Sequence, residues 1–175
     1  MSTLTRDEIT QALEQLGMLA HKQGYIIKLL VVGGSAMVLL YNARPATRDV
    51  DAVILSPQAH VVRNLARQVA ETRHLPADWL NDGAKGYVVG ISEGAIVFSA
   101  LGIVVKTPAL VQLLAMKLSA WRDDVDIADA RQLLQSLTGE QDQIWKAITP
   151  YLMPGEELKA QYAFLDLWEA LYGTD

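Results

Sequence analysis

In "RDVDAVI", Asp49 and Asp51 flank Val50. Residues two apart on a strand point to one face, so both carboxylates aim the same way. Two such acids repel each other, and a pair at this spacing suits a hard divalent cation such as Mg²⁺, which favours oxygen ligands and keeps several waters. Upstream, Val32-Gly33-Gly34-Ser35 joins an apolar run to a helical-looking segment. Glycines there let backbone amides approach a ligand, the helix start adds partial positive charge, and Ser35 adds a hydroxyl. Such a turn suits a phosphate. The GxxxxGK[ST] spacing of a Walker loop is absent. A Gly-Gly-Ser alone is an ordinary turn and cap, and an Asp-x-Asp alone an ordinary solvated strand end. Following two successive apolar runs, the two together describe a nucleotide–magnesium site. Arg44 and Arg48 lie beside the acids, either to relieve carboxylate repulsion or to grip a phosphate.

The elements that position these residues follow from the pattern. Thr5 and Glu8 form a capping box ahead of Ile9, Leu13 and Leu16 at helix spacing, with Gly24 as the stop. Ile26 to Val32 reads as a buried strand, Ser35 to Asn42 as a two-turn helix and Val50 to Leu55 as a second strand. Ser56 as cap and Pro57 as first residue are expected to open a helix with Val61, Val62, Leu65 and Val69 on one face. Tyr87 to Ile91, Ala95 to Ala100 and Leu101 to Lys106 read as short strands joined by glycine turns. Thr107-Pro108 is expected to open a helix whose apolar face is Leu110, Leu113, Leu118 and Trp121, with Lys117 snorkelling among them. Ile127 to Leu137, Gln141 to Ile148 and Glu156 to Tyr172 complete a helical tail. The expected organisation is an α/β (α+β) core over residues 1–106 and a helical C-terminal extension over 107–175 packed on it.

With 175 residues, 51% hydrophobic and 20% charged, the chain can bury a sizeable core. A net charge of −5 argues against a broad grip on duplex DNA. There are no cysteines, which excludes disulfides and thiolate zinc sites. The first residues lack the apolar stretch of a signal peptide, and the longest apolar run, Ile26 to Tyr41, is broken by Lys28 and the glycines. A cytoplasmic protein with no membrane partner is expected. His21, His60 and His74 lack mutual metal-ligand spacing, and no nucleophile–His–acid arrangement is evident.

Gly34-Ser35, thirteen residues (36 to 48), then Asp49-Val50-Asp51-Ala52 resembles the signature of the DNA polymerase beta-type nucleotidyltransferase superfamily. "RPATRDVDAVI", "LPADWLND" and "LLAMKLSAWRDDVDIADARQLL" resemble one bacterial branch of that superfamily, which is related to the nucleotidyltransferase toxins of type IV toxin–antitoxin systems. The resemblance spans roughly Leu29 to Leu134. It implies a nucleotidyltransferase-like mixed sheet flanked by helices. It gives Gly33, Gly34, Ser35 and Arg48 to the nucleotide, Asp49 and Asp51 to Mg²⁺ or Mn²⁺ and to catalysis, and Lys117 to both nucleotide binding and catalysis. Asp126 or Asp129 would match the late acidic motif, although "RDDVDIADAR" taken by itself reads as a solvated acidic helix.

The implied activity is Mg²⁺-dependent transfer of a nucleoside monophosphate from an NTP to a protein, RNA or small-molecule acceptor. Members of the superfamily usually carry a third acid on a later strand. "GAIVFSA" and "LGIVVK" hold none, which leaves Asp82 and Glu93 as substitutes. The alternative is a catalytically silent nucleotide-binding module or one half of a toxin–antitoxin-like pair with a small partner. Trp79 reads as a core or lid anchor, and the tail aromatics from Trp145 to Tyr172 as packing or a partner surface.

Overall fold

The computed structural model describes residues 2–41 and 44–173. The chain is a mixed α/β fold with, among the described residues, seven α-helices, a mixed five-stranded sheet and a pair of two-residue strands. It divides into two compact units, Met1–Gly86 with Glu93–Thr107, and Tyr87–Ser92 with Pro108–Asp175. No helix among the described residues is long and apolar enough to cross a membrane.

The first unit begins with Leu4–Thr5 (β1) and helix α1 (Arg6–Lys22). The capping box forms as its residue types require: the Glu8 N–H donates to Thr5 Oγ1 at 3.3 Å, and the Thr5 N–H donates to Glu8 Oε2 at 2.8 Å. Ile27–Val32 (β2) runs straight into α2 (Gly33–Leu40), and Ala46–Thr47 (β3) precedes β4 (Val50–Ser56). After α3 (Ala59–Arg73) come β5 (Leu80–Asn81), a 3₁₀ turn (Gly83–Tyr87), β6 (Ile96–Ala100) and β7 (Ile103–Lys106). The sheet order is β5-β4-β2-β7-β6. β2 is antiparallel to β4 and parallel to β7, β5 runs parallel to β4, and β6 is antiparallel to β7. Apart from Lys28, every β2 residue is buried, so this central strand is covered on both faces, which is why it reads as a continuous apolar run. α1 packs against α3 and β7, and its Ile9, Leu13 and Leu16 are fully buried.

The second unit is helical: α4 (Leu110–Ala120), α5 (Asp124–Gln135), α6 (Gln141–Ile148) and α7 (Glu157–Tyr172), with α4 packed against the other three. Buried Gln112 ties residues 89–92 to this unit. Its amide nitrogen donates to the Val89 and Gly90 carbonyls at 3.2 and 2.9 Å, and its Oε1 accepts from the Ser92 N–H at 3.0 Å.

Several local expectations are corrected. Tyr87 to Ile91 is not a strand, because its carbonyls serve Gln112 rather than a neighbouring ladder. Neither proline starts a helix: α3 is capped at Gln58 and α4 at Ala109. Ser56 is instead the last residue of β4, followed by a cis Ser56–Pro57 bond. The Thr107 hydroxyl makes no hydrogen bond, and the Ala109 N–H is met by Ser92 Oγ at 2.9 Å. α2 starts two residues before Ser35. Asn42, its expected end, lies outside the described residues.

One contact sets how closely α1 can approach the sheet. A methyl group at Gly17 would collide with the Leu101 carbonyl oxygen and the Ile103 side chain, so only glycine permits this packing. Gly17→Ala gains roughly 1 kcal/mol of helix propensity, but overpacking against a backbone oxygen costs about 1–3 kcal/mol or more. The collision should win, and urea denaturation should show a net loss on the order of 1–2 kcal/mol.

Candidate functional site

The glycine turn and the acid pair lie side by side because β2 and β4 pair antiparallel with Val32 opposite Asp51. β2 therefore ends, and α2 begins, beside the start of β4. Gly33 makes the turn with φ +61, a left-handed conformation that favours glycine. A methyl group there would sit 3.1 Å from Asp51 Oδ2, so the missing side chain makes room for that carboxylate. Gly34 is hemmed in differently: a methyl group would lie 2.7 Å from Thr47 Oγ1 and 2.8 Å from an Arg44 guanidinium nitrogen. A cation thus rests against the backbone at the helix start, where a phosphate would also find the backbone N–H groups that a first helical turn leaves without intrahelical acceptors.

Ser35 is fully buried, and its hydroxyl donates to the Val32 carbonyl at 2.8 Å with the Asp51 carbonyl at 3.3 Å. Its oxygen braces the turn against β4. The sequence offered this hydroxyl to a phosphate; the structure occupies it with backbone.

Asp49 and Asp51 are both half-buried, and buried Val50 between them points into the core. The Asp49 carboxyl is pushed above the usual carboxylate range, first by burial. The Arg48 charge opposes this, the Asp78 charge adds to it, and a hydrogen bond from the Asn81 side chain opposes it. Asn81 lies opposite Asp51 in the β4–β5 pairing, and its Oδ1 accepts from the Gly83 N–H at 2.8 Å. One face of its amide is thereby fixed by backbone while the other serves Asp49.

Asp78 and Asn81 were not singled out from the sequence. The signal was the shared loop "LPADWLND", whose anchor is Trp79. Trp79 is fully buried, its Nε1–H donates to the Ala66 carbonyl at 2.8 Å, and its own carbonyl accepts from the Val50 N–H at 2.7 Å. Burying an indole of about 200 Å² contributes roughly 5 kcal/mol, against about 1 kcal/mol net for each hydrogen bond of a two-residue strand. Trp79, more than the β5 ladder, holds Asp78 and Asn81 beside Asp49.

Of the two candidate third acids, Asp82 is ion-paired with Arg63, whose Nε donates to its Oδ2 at 3.1 Å, and that hydrogen bond lowers its pKa. Glu93 is exposed. Among the described residues no group of three or more His, Cys, Asp or Glu side chains is placed to hold a metal ion. Asp49 and Asp51, half-buried oxygen donors on either side of Val50, are the residues that could hold a hard divalent cation, with water completing its shell.

Lys117 lies in the second unit. Its ammonium is buried and meets Asp129 Oδ2 at 2.8 Å and Asp126 Oδ1 at 3.2 Å. Asp126 also accepts from the Arg122 N–H at 3.0 Å and from Arg122 Nε at 3.1 Å. The solvated acidic helix expected here is therefore corrected: Asp126 and Asp129 turn inward and join α5 to α4. Burial works against ionisation of Asp126, but the Arg122 hydrogen bonds and Lys117 outweigh it and hold its carboxyl down from 3.8 to about 2.

Compared with protein-family models, curated proteins and solved structures, the chain matches none.

Two carboxylates give opposite pH behaviour. Because the Asp49 pKa is raised by folding, the fold loses stability as pH climbs past the ordinary carboxylate range. Asp49→Asn should melt higher than the parent at neutral pH without divalent metal and at the same temperature in acid. Because the Asp126 pKa is depressed, its contribution is full above about pH 4 and lost as pH falls through about 2. Asp126→Asn should cost on the order of 2 kcal/mol at pH 7, a deficit that chemical denaturation should find shrinking toward pH 2.

Proposed function

We propose that the first unit carries a Mg²⁺-dependent nucleotidyltransferase site of the DNA polymerase beta type, moving a nucleoside monophosphate from an NTP to an acceptor. The observation that carries this reading is the juxtaposition of the Gly33–Gly34 turn at the end of β2 with Asp51 on the antiparallel strand β4. A strand that ends in a glycine turn at a helix start supplies amides for phosphate oxygens. Asp51 directly beside it, with Asp49 two residues earlier, would supply the charge that brings a cation to the same phosphates. Bound there, Mg²⁺ would supply Lewis-acid polarisation of the phosphoryl oxygens and screen their charge.

The chain's own residues divide the remaining work. Arg44, lying against Gly34, would meet triphosphate oxygens, and Arg48 would steady Asp49 or the incoming phosphate. Asn81 aims the Asp49 carboxylate, and Ser35 holds the turn rigid. Lys117 is left outside this assignment because two buried carboxylates already engage its ammonium. The acceptor is a protein, an RNA or a small molecule.

A second reading, a nucleotide-binding module without catalysis that works with a small antitoxin-like partner, is favoured by one observation. Neither β6 nor β7 carries an acid, and Asp82 is engaged by Arg63.

The test is incubation with each α-labelled NTP and Mg²⁺, together with calorimetry of Mg²⁺–NTP binding. The parent should bind one NTP and pass label to itself, to RNA or to a small acceptor. Asp51→Asn should remove both signals, and Gly33→Ala should weaken binding about tenfold, a cost of about 1.4 kcal/mol. Binding without label transfer selects the second reading, and no Mg²⁺-dependent binding by the parent removes both.

A further inference from the structure

Helix α7 has two apolar faces, and among the described residues only one of them is buried. Ala160, Ala163, Phe164 and Leu167 are buried, and α7 packs against α4 and α5. Leu158, Tyr162, Leu165 and Tyr172 are 64%, 63%, 43% and 52% exposed. At about 100° per residue, these four and Glu169 fall in one stripe within about 40° of its centre, opposite the buried set. Their spacing of four, three, four and three residues is that of a coiled-coil seam. At its C-terminal end the seam is tied to the buried side by tilted ring contacts: Tyr172 to Trp168 at 4.5 Å, Trp168 to Phe164 at 5.9 Å, and Phe164 to Trp145 at 5.2 Å.

Charge decides what such a seam accepts. Glu169 sits within it, and Asp166 and Glu157 lie on its two sides. Lys159, the one base on α7, is turned back to the body of the unit, where its ammonium donates to the Ala120 carbonyl at 2.9 Å and lies 3.8 Å from Glu156. A second copy of α7 would bring acid against acid with no base to meet Glu169. A membrane-surface helix needs the opposite rim, rich in Lys and Arg.

We propose that this face of α7 docks a protein partner presenting an amphipathic helix with an apolar seam and basic flanks, with a Lys or Arg set opposite Glu169. A single polar residue within an apolar seam fixes register and partner choice at some cost in affinity. The Tyr162 and Tyr172 rings are the anchors, because large, rigid aromatic groups carry most of the energy in such contacts.

The test uses the full chain and two synthetic helical peptides with the same leucine seam, one flanked by lysines and one by glutamates, followed by fluorescence anisotropy. The lysine peptide should bind at least about tenfold tighter than the glutamate peptide, more weakly in high salt. Tyr162→Ser with Leu165→Ser leaves charge unchanged and alters only exposed positions, and should cut that binding at least about tenfold. Glu169→Lys should move preference toward the glutamate peptide.

Equal binding of both peptides, or binding untouched by the double serine variant, overturns the proposal; the latter marks mere attraction to an acidic protein. A chain that sediments as a dimer, and as a monomer in the double variant, would assign the seam to a second copy and overturn it too. So would co-sedimentation with lipid vesicles that the double variant abolishes.

Discussion

The register of β4 against β2 is the constraint on which the rest of the first unit depends. Val50 and Ala52 are buried while Asp51 between them is half-buried, and Val32 faces Asp51 across the ladder. Side chains alternate at a strict period of two, so a slip of one residue would turn the acids toward the core and the apolar side chains outward. An unpaired carboxylate in the core costs several kcal/mol, and the hydrophobic contribution of two core residues would be lost with it. The register that avoids this is also the one that puts Gly33 against Asp51. Core packing and site assembly are thus one constraint met once.

The chain treats its inward-facing acids in two ways. Around Asp126 the charges are matched: Lys117, the Arg122 side chain and the Arg122 backbone amide all donate to it, and its ionisation becomes easier than in water. Around Asp49 they are not. Burial and Asp78 outweigh Arg48 and Asn81, and ionisation becomes harder. A matched cluster fastens two helices together and gains nothing from a further ion. An undermatched one is improved by any cation that arrives, the electrostatic condition under which a binding site sacrifices some stability of the free protein.

Much of this was legible in the residues themselves where the deciding interactions are local. The Thr5–Glu8 box and the bounds of α6 rest on contacts within a few positions, and the structure forms both. The misreadings involve distant partners. Thr107-Pro108 has the residue types of a helix start, but Ser92, seventeen residues away, meets the Ala109 amide. Tyr87 to Ile91 has strand-like composition, yet Gln112 takes the Val89 and Gly90 carbonyls. Lys117 looked like a snorkelling lysine because nothing local shows that α5 folds back with Asp126 and Asp129 turned inward. For the candidate site, the glycines and the acid pair were readable from spacing, whereas Asn81 and Asp78 were not. They reach Asp49 only through the burial of Trp79 and the pairing of β5.

The short ladder between β1 and β3 has a practical side. Leu4 is paired with Thr47 and Thr5 with Ala46, so the beginning of the described chain is laid along the segment that carries Arg44 and Thr47 against Gly34. A substitution that loosens Leu4 or Thr5 would free that segment, two residues ahead of Asp49, so the capping box of α1 and the glycine turn share one mechanical support. An unfolding signal read from the Thr5–Glu8 box would then report on the turn as well as on α1.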